Sequence, residues 1–408
     1  MLAKFTDRWR GLPRRRPETS RRAARGVAAA CVLAVAVASV AACSSSSPSS
    51  SSSGSASVSP SADSGSAASG ANVAAAKAAI APYSGHPGAF PVAQPLSKPL
   101  PAGTKFAFME CGTGACGLVA QLLVPAVKEI GGTLVTVNAG STAQSSQTAV
   151  ASVLALKPAA VLITGLNPTI FGGGLKTLSA AGIKVVTISI AENTKPFGIT
   201  FNYIGLQSTL LAGKLMADWV IANKGPQANV VFYGVPAIDF SAEQQQAFEQ
   251  ELQKNCPTCK VRAVQIDVTT LGTTSANTVV SDLESHPATN VAVFASAEIA
   301  EGLPAAMKAA GLSVTTLGYA PQAEILQDIK DGGITAGLAA DFPISVWAAL
   351  DAAARLVEGD QPTAPEQAGE LPLQFLEQQD ITFNPAEGWT AYPDYQQLFA
   401  KLWHPAAS

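Results

Sequence analysis

The chain has 408 residues, 48% hydrophobic and 13% charged, which is too long for one small domain and apolar enough to bury large cores. Residues 1–42 carry nine Lys/Arg against two Asp/Glu, so the overall −3 conceals a remainder with 17 basic and 27 acidic residues. A surface that acidic lacks the basic footprint of a nucleic-acid binder, and no nucleic-acid partner is expected.

The N-terminus opens with an Arg-rich head (Arg14, Arg15, Arg16, Arg21, Arg22, Arg25). An uncharged, mostly apolar run from Val27 to Ala42 follows and meets Cys43 and then a serine tract. The run is too short to span a bilayer as a helix. Small residues before the cysteine read as a cleavage site. Val40-Ala41-Ala42-Cys43 resembles a bacterial lipoprotein signal, whose cysteine receives a diacylglycerol and becomes the new N-terminus. That resemblance implies a signal peptide over 1–42, lipidation at Cys43 and a location on the outer face of the cell membrane. A plain signal peptide cut near Ala42 is the alternative. Ser20-Arg21-Arg22 hints at twin-arginine export without the residues that usually complete that motif.

Residues 44–70 are almost entirely Ser, Ala, Gly and Pro, and residues 82–103 are proline-rich, from Pro82 to Pro101. A disordered linker is expected over 43–103, with at most one short helix at 71–81. Beyond Cys31 and Cys43, four cysteines form two close pairs, Cys111/Cys116 and Cys256/Cys259. Outside the cytoplasm such pairs read as disulfides. The first would close a small loop after the first predicted strand, and the second would pin a helix-to-strand turn. A zinc site would need pairs about 140 residues apart to converge, so no metal is expected.

From residue 105 onward, short runs rich in Val, Ile and Phe alternate with helical stretches. Strands are predicted at 105–109, 133–137, 160–164, 184–189, 199–204, 229–233, 260–266, 291–294, 313–317 and 334–339. Helices are predicted at 117–130, 144–155, 170–181, 208–223, 242–254, 275–285, 299–310, 322–330 and 344–358. Continuous apolar strands between helices specify an α/β fold with buried parallel sheets. Ten strands divide more readily into two lobes than into one core. Gly131, Gly182, Gly311 and Gly332 sit where left-handed caps end helices. Ser141-x-x-Gln144 and Ser241-x-x-Gln244 read as capping boxes.

Several weak motifs in order carry a family resemblance. In the first half they are Phe106-Ala107-Phe108-Met109, Gly131 to Val137, Leu156 to Ile163 and Ala181 to Ile188. In the second they are Phe294 to Glu298, Leu317-Gly318-Tyr319 and Ile329 to Ala336. Over roughly residues 104–360 the chain resembles the type I periplasmic sugar-binding proteins of ABC importers, which share their fold with the ligand-binding half of the lactose-repressor family. The resemblance implies two Rossmann-like lobes joined by a three-segment hinge. The first lobe would be 104–205 plus 341–360, and the second 206–340 plus 361–408. It also implies hinge closure on a small molecule, an ABC permease as partner, a monomer, and no cofactor.

Ligands of open parallel sheets bind beyond the carboxyl ends of the strands. The candidate contacts are therefore Glu110, Thr113, Asn167, Ser189, Gln207, Asp239, Phe240, Ser296, Glu298, Tyr319 and Asp341. Several have plainer readings. Asn167 before Pro168 could be a turn residue, Asp239 a helix cap, Glu298 a first-turn carboxylate and Asp341 a hinge hydrogen-bonder. Sugar-binding members place aromatics, an arginine and Asp/Asn residues in these loops. Here Ala115 and Cys116 stand at the aromatic positions, Ser296 and Ala297 replace an Asn-Asp pair, and no arginine falls between Ser241 and Gln246. That departure implies a less charged, roomier pocket and a ligand larger or less polar than a simple pyranose.

An enzyme is not expected. His86, His286 and His404 are the only histidines, and none ends a predicted strand. No nucleophile elbow, His-Glu-x-x-His or phosphate loop occurs. The alternative to transport is a sensory receptor of the same fold that signals to a membrane kinase.

Overall fold

The computed structural model describes residues 71–404. Cys43, the signal segment and the serine tract lie outside them. In chain order the elements begin with helix α1 (Val73–Ile80), strand β1 (Lys105–Glu110), α2 (Gly114–Glu129), β2 (Thr133–Asn138), α3 (Ala143–Leu156), β3 (Ala160–Thr164), α4 (Gly174–Ala180), β4 (Lys184–Ile188) and β5 (Phe201–Tyr203). There follow α5 (Leu206–Lys224), β6 (Asn229–Gly234), α6 (Ser241–Asn255), β7 (Lys260–Gln265), α7 (Ser275–Ser285), β8 (Val291–Phe294), α8 (Leu303–Ala310), β9 (Thr315–Tyr319), α9 (Ala323–Lys330), β10 (Ala336–Ala340) and α10 (Phe342–Glu358). The chain ends with α11 (Ala364–Ala368), β11 (Leu373–Leu376) and α12 (Tyr395–Trp403).

The strands form two sheets, ordered β2-β1-β3-β4-β5 and β11-β10-β9-β8-β6-β7. All pairs are parallel except β10 with β11. Side chains of a strand alternate between faces, so a strand covered on both sides must be apolar throughout. In β1, Phe106 and Phe108 join the core formed with α2 and α10, while Ala107 and Met109 pack toward α3 and α4. In the second sheet Val230 and Phe232 meet α5 and α6, whereas Val231 and Tyr233 face the α7–α9 side. Every predicted strand and helix is present, with ends shifted by a few residues. The predicted helices at 170–181 and 299–310 are each a 3-10 turn followed by a shorter α-helix. The first capping box is made by Thr142 and Ser145 rather than from Ser141. Ser241 opens α6 and accepts the Val235 N–H.

The expected disordered linker over 43–103 does not hold from residue 71 onward. Helix α1 packs on α5 through buried Ala76, and the Asn72 N–H donates to Asn255 O at 2.7 Å. The proline-rich segment then crosses to the first lobe. There Val92, Leu96 and Leu100 are buried, and the Leu96 N–H donates to Leu402 O. Proline has already restricted this backbone in the unfolded chain, so a few apolar anchors suffice to order it.

The C-terminal segment departs from its expected place in the second lobe. β11 extends the second sheet, but α12 lies on α10 of the first lobe. There Trp403 stacks on Trp347 with ring centroids 5.1 Å apart. The sequence pattern gives no sign of β11, α11 or α12.

A buried ionic cluster ties these additions together. Arg355, 2% exposed, donates to Asp351 at 2.6 Å and to backbone oxygens of Gln94 and Pro95. Asp351 also accepts the Trp403 indole N–H at 2.6 Å. Glu366 caps α11 through Thr363 and lies 3.7 Å from Arg355. Burial, with Asp351 beside it, pushes the Glu366 carboxyl up to about 8. Burial likewise pushes Asp218, Asp239, Asp328 and Asp341 to about 6 and Glu301 to about 7.

These raised values fix a pH dependence. The folded state holds protons that the unfolded chain has released, so stability is lost as pH rises from about 4 to about 8. Melting temperature should therefore be higher at about pH 5.5 than at about pH 8 in matched buffers. A flat or oppositely sloped profile would contradict the buried-carboxylate pattern.

Both cysteine pairs are disulfides. Cys111–Cys116 joins the end of β1 to the first turn of α2, with Cα atoms 5.7 Å apart. Cys256–Cys259 closes the turn from α6 to β7, with Cα atoms 5.3 Å apart. In that turn the Cys259 N–H donates to Cys256 O at 3.0 Å, so the bridge and a backbone bond hold the same four residues. Alkylation of the mature protein without reductant should label none of Cys111, Cys116, Cys256 and Cys259. Cys256→Ser, which frees Cys259, should cost about 2 kcal/mol by loop-closure entropy.

Candidate ligand cleft and its closure

The carboxyl ends of the two sheets face each other across a cleft. Its first-lobe wall includes Thr113, Cys116 and Val119 from the start of α2, Thr164 and Leu166 after β3, and Ser189 after β4. The second-lobe wall includes Ile238, Phe240, Ser296, Glu298, Tyr319 and Gln322. Ile204, Phe342 and Leu371 close the hinge side. The cleft leaves about 90 Å³ for the centres of water-sized atoms. Val119, Ile188 and Ile204 line its first-lobe side.

Of the sequence candidates, Thr113, Ser189, Phe240, Ser296, Glu298 and Tyr319 line this cleft. Phe240 meets Tyr319 edge to face, with centroids 5.8 Å apart. Thr113 also caps α2 by accepting the Cys116 N–H. The other five are not on the wall. Glu110 accepts the Gly112 N–H at 3.0 Å, within its own loop. Asn167 caps a 3-10 turn and donates to Glu192 at 2.9 Å. Gln207 borders a separate hinge-side cavity. Asp341 caps α10 through the Ile344 N–H and accepts Thr390 Oγ1 and Ala391 N at 3.0 and 2.8 Å, pinning the tail to the hinge.

The two disulfides divide in the same way. Cys111 and Cys116 both border the cleft, so their bridge shapes its edge. Cys256 and Cys259 do not touch it. Their bridge sits at the amino end of β7, whereas the cleft lies beyond the carboxyl ends of the strands, so its role is confined to the turn.

Asp239 does not meet the cleft; it bridges the lobes. One carboxylate oxygen accepts the N–H groups of Ala191 and Glu192 in the first lobe, the latter at 3.3 Å. Its own N–H donates to Gly165 O at 3.0 Å, and Leu166 pairs antiparallel with Ile238 beside it. A second bridge comes from Glu298. Its Oε1 accepts Gly114 N at 2.8 Å and Ala115 N at 3.4 Å, at the positive end of α2. Burial raises the Glu298 carboxyl, and these two amides oppose the shift. A Cβ on Gly114 would stand 2.8 Å from that oxygen, so a larger residue there would displace the carboxylate from its present position. Both bridges run from second-lobe carboxylates to first-lobe backbone amides. The sequence carries no signal for the amide half of such a pair.

Backbone strain gathers at the same place. Among the described residues four non-glycine positions have left-handed φ, and three of them, Ser189 (φ 60°), Ile204 (φ 63°) and Ala320 (φ 54°), line the cleft. For a β-branched residue such as Ile204 this is a costly conformation, about 1–3 kcal/mol, of the kind found at binding sites. Among the described residues no cluster of three or more His, Cys, Asp or Glu could hold a metal.

Comparison with known proteins agrees with this architecture. A family model for the periplasmic binding protein domain matches residues 118–361, more than half of the chain. Among solved structures, a myo-inositol binding protein from Caulobacter, with myo-inositol bound, is 18% identical with a TM-score of 0.60; the match covers 70% of this chain and 97% of that one. An ABC transporter solute binding protein from Agrobacterium vitis with bound allitol is 21% identical, TM-score 0.59, over 68% and 97%. A XylFII-LytSN complex matches at 14% identity and TM-score 0.58, over 69% and 100%. None of the curated proteins compared matches the chain. The two facing sheets, the hinge and the family match together establish that this chain belongs to the periplasmic binding protein family, in its type I two-lobed form.

Proposed function

We propose that the chain is a lipid-anchored, extracytoplasmic solute-binding protein. It captures a small molecule between its lobes and, as a monomer, delivers it to an ABC permease, with no cofactor and no catalysis. The observation that carries this reading is the pair of cross-lobe bridges at Asp239 and Glu298. They close the cleft over its own apolar wall. A closed state held by a few exchangeable hydrogen bonds is in equilibrium with an open one, and a solute touching both walls shifts that equilibrium toward closure. The anchor rests on the resemblance of the segment ending in Cys43 to a lipoprotein signal. A sensory receptor is the second reading, favoured by the likeness to a chain solved as a XylFII-LytSN complex. A membrane permease or a kinase recovered by crosslinking the anchored protein in cells decides between them.

Removing both bridges tests the closure. Hydrogen bonds to charged groups contribute about 1.5–3 kcal/mol each. The Asp239→Ala/Glu298→Ala variant should therefore be more open in solution, with a larger radius of gyration by X-ray scattering. It should also bind its solute at least about tenfold more weakly. Unchanged dimensions and affinity would remove the bridges from the mechanism.

The anchor is tested separately. Globomycin, which blocks the lipoprotein signal peptidase, should cause the precursor to accumulate, and Cys43→Ser should release or misprocess the protein. Normal maturation to an unmodified N-terminus would refute lipidation.

A further inference from the structure

We infer that the cleft takes an uncharged, mainly hydrocarbon ring compound bearing one or two hydroxyl or carbonyl groups, and not a sugar or polyol. This deepens the solute-binding reading and rests on it. Among the described residues the wall carries no Lys, Arg, His, Asp or Asn, and Glu298 is its only carboxylate. The side chains that face one another across it are largely apolar, among them Val119, Ile188, Ile204, Ile238, Phe240 and Phe342. A sugar or polyol carries hydroxyls around its whole perimeter. Each one buried without a partner costs about 1–3 kcal/mol, and a wall without Asp, Asn, Arg or Lys offers only single hydroxyls set among apolar side chains to meet them.

Among the wall's polar side chains, Ser141, Thr164, Ser189, Ser296 and Tyr319 offer single hydroxyls with no side-chain hydrogen bond among the described residues, while others are engaged within the protein. The Gln322 amide donates to Ala320 O at 2.8 Å, and Thr113 accepts the Cys116 N–H. Asp239, the other carboxylate of the cleft region, is turned to the amides of Ala191 and Glu192. Glu298 commits Oε1 to Gly114 and Ala115, and its charge is met there by the N-terminus of the 16-residue α2. Its second oxygen has no hydrogen bond among the described residues, so it can accept one ligand hydroxyl. The geometry thus supplies one charged acceptor and scattered single hydroxyls in a largely apolar enclosure. That matches a mainly hydrocarbon ring with a donor at one edge and few further polar groups.

A ring-matched series decides the class: myo-inositol, D-xylose, cyclohexanol, menthol and cyclohexylamine. Each is titrated into the mature protein by calorimetry, with melting shifts in parallel. Affinity should rise from myo-inositol through cyclohexanol to menthol by at least about tenfold. Cyclohexylamine should bind no tighter than cyclohexanol. Menthol affinity should change less than about threefold across a roughly tenfold range of NaCl, because salt screens charged contacts and not apolar ones. Phe240→Ala, checked for folding by circular dichroism, should weaken menthol more than about tenfold. Tightest binding of myo-inositol or D-xylose would overturn the class while leaving solute capture intact. Preference for cyclohexylamine would make Glu298 a counter-ion and would also overturn it. Absence of binding across the whole series would overturn the class and the solute-binding reading together.

Discussion

The closed cleft depends on two carboxylates that accept backbone N–H groups from the opposite lobe. A side chain meeting a backbone amide contributes a charge-assisted hydrogen bond without needing any particular residue on the other side. Only the backbone's position matters, and Gly114 supplies it by leaving room for the Glu298 oxygen. The consequence is a division of labour. The carboxylates of the cleft region hold the lobes, Glu298 through one oxygen only, and the largely apolar wall is left to meet most of the solute.

The hinge is more heavily built than a three-segment crossing. The proline-rich segment passes from α1 on the second lobe to Val92, Leu96 and Leu100 on the first. The tail runs from β11 in the second sheet back to α12 on α10. Both additions converge on α10, where Arg355 reaches the carbonyl groups of residues 94 and 95 and Asp351 receives Trp403. Burying these charges costs several kcal/mol and is offset only by complete pairing, so truncating Arg355 would leave Asp351 and Glu366 as uncompensated neighbours. Each extra crossing shortens the path along which the lobes can separate.

The fold is legible in the sequence because its signal is local. Runs such as Phe106 to Met109 or Val291 to Phe294 must be apolar throughout when helices cover both faces, and glycines at helix ends mark where each repeat stops. The disulfides are legible for the same reason, since Cys256 and Cys259 stand three positions apart and Cys111 and Cys116 five. β11 and α12 are illegible for the opposite reason. Leu373–Leu376 is four residues flanked by Pro372 on one side and polar groups on the other, and α12 is buried by Trp347, far away in sequence. Beyond residue 70 the proline content of the linker masks the three spaced apolar anchors that order it. Site residues are half legible. A carboxylate after a strand reads the same whether it meets a solute or an amide, so the region of Asp239 and Glu298 follows from the sequence while their bridging role does not. Asn167 and Asp341 take their plainer alternatives, a turn cap and a hinge cap.

The strained residues connect these points. Ser189 ends β4, Ile204 ends the first lobe's sheet, and Ala320 follows β9; each is where the chain leaves a rigid strand and turns beside the cleft. Their left-handed backbone holds in part through long-range bonds. Ser189 N donates to Tyr203 O, and Ala320 N to Leu338 O, at 3.0 and 2.9 Å. A sheet with fully apolar, well-packed strands can sustain such local costs. The cleft's shape is therefore set by the sheets beneath it. In the closure proposed above the hinge is what moves, and the register of Leu166 against Ile238 together with the two carboxylate bridges holds the lobes in the position seen here.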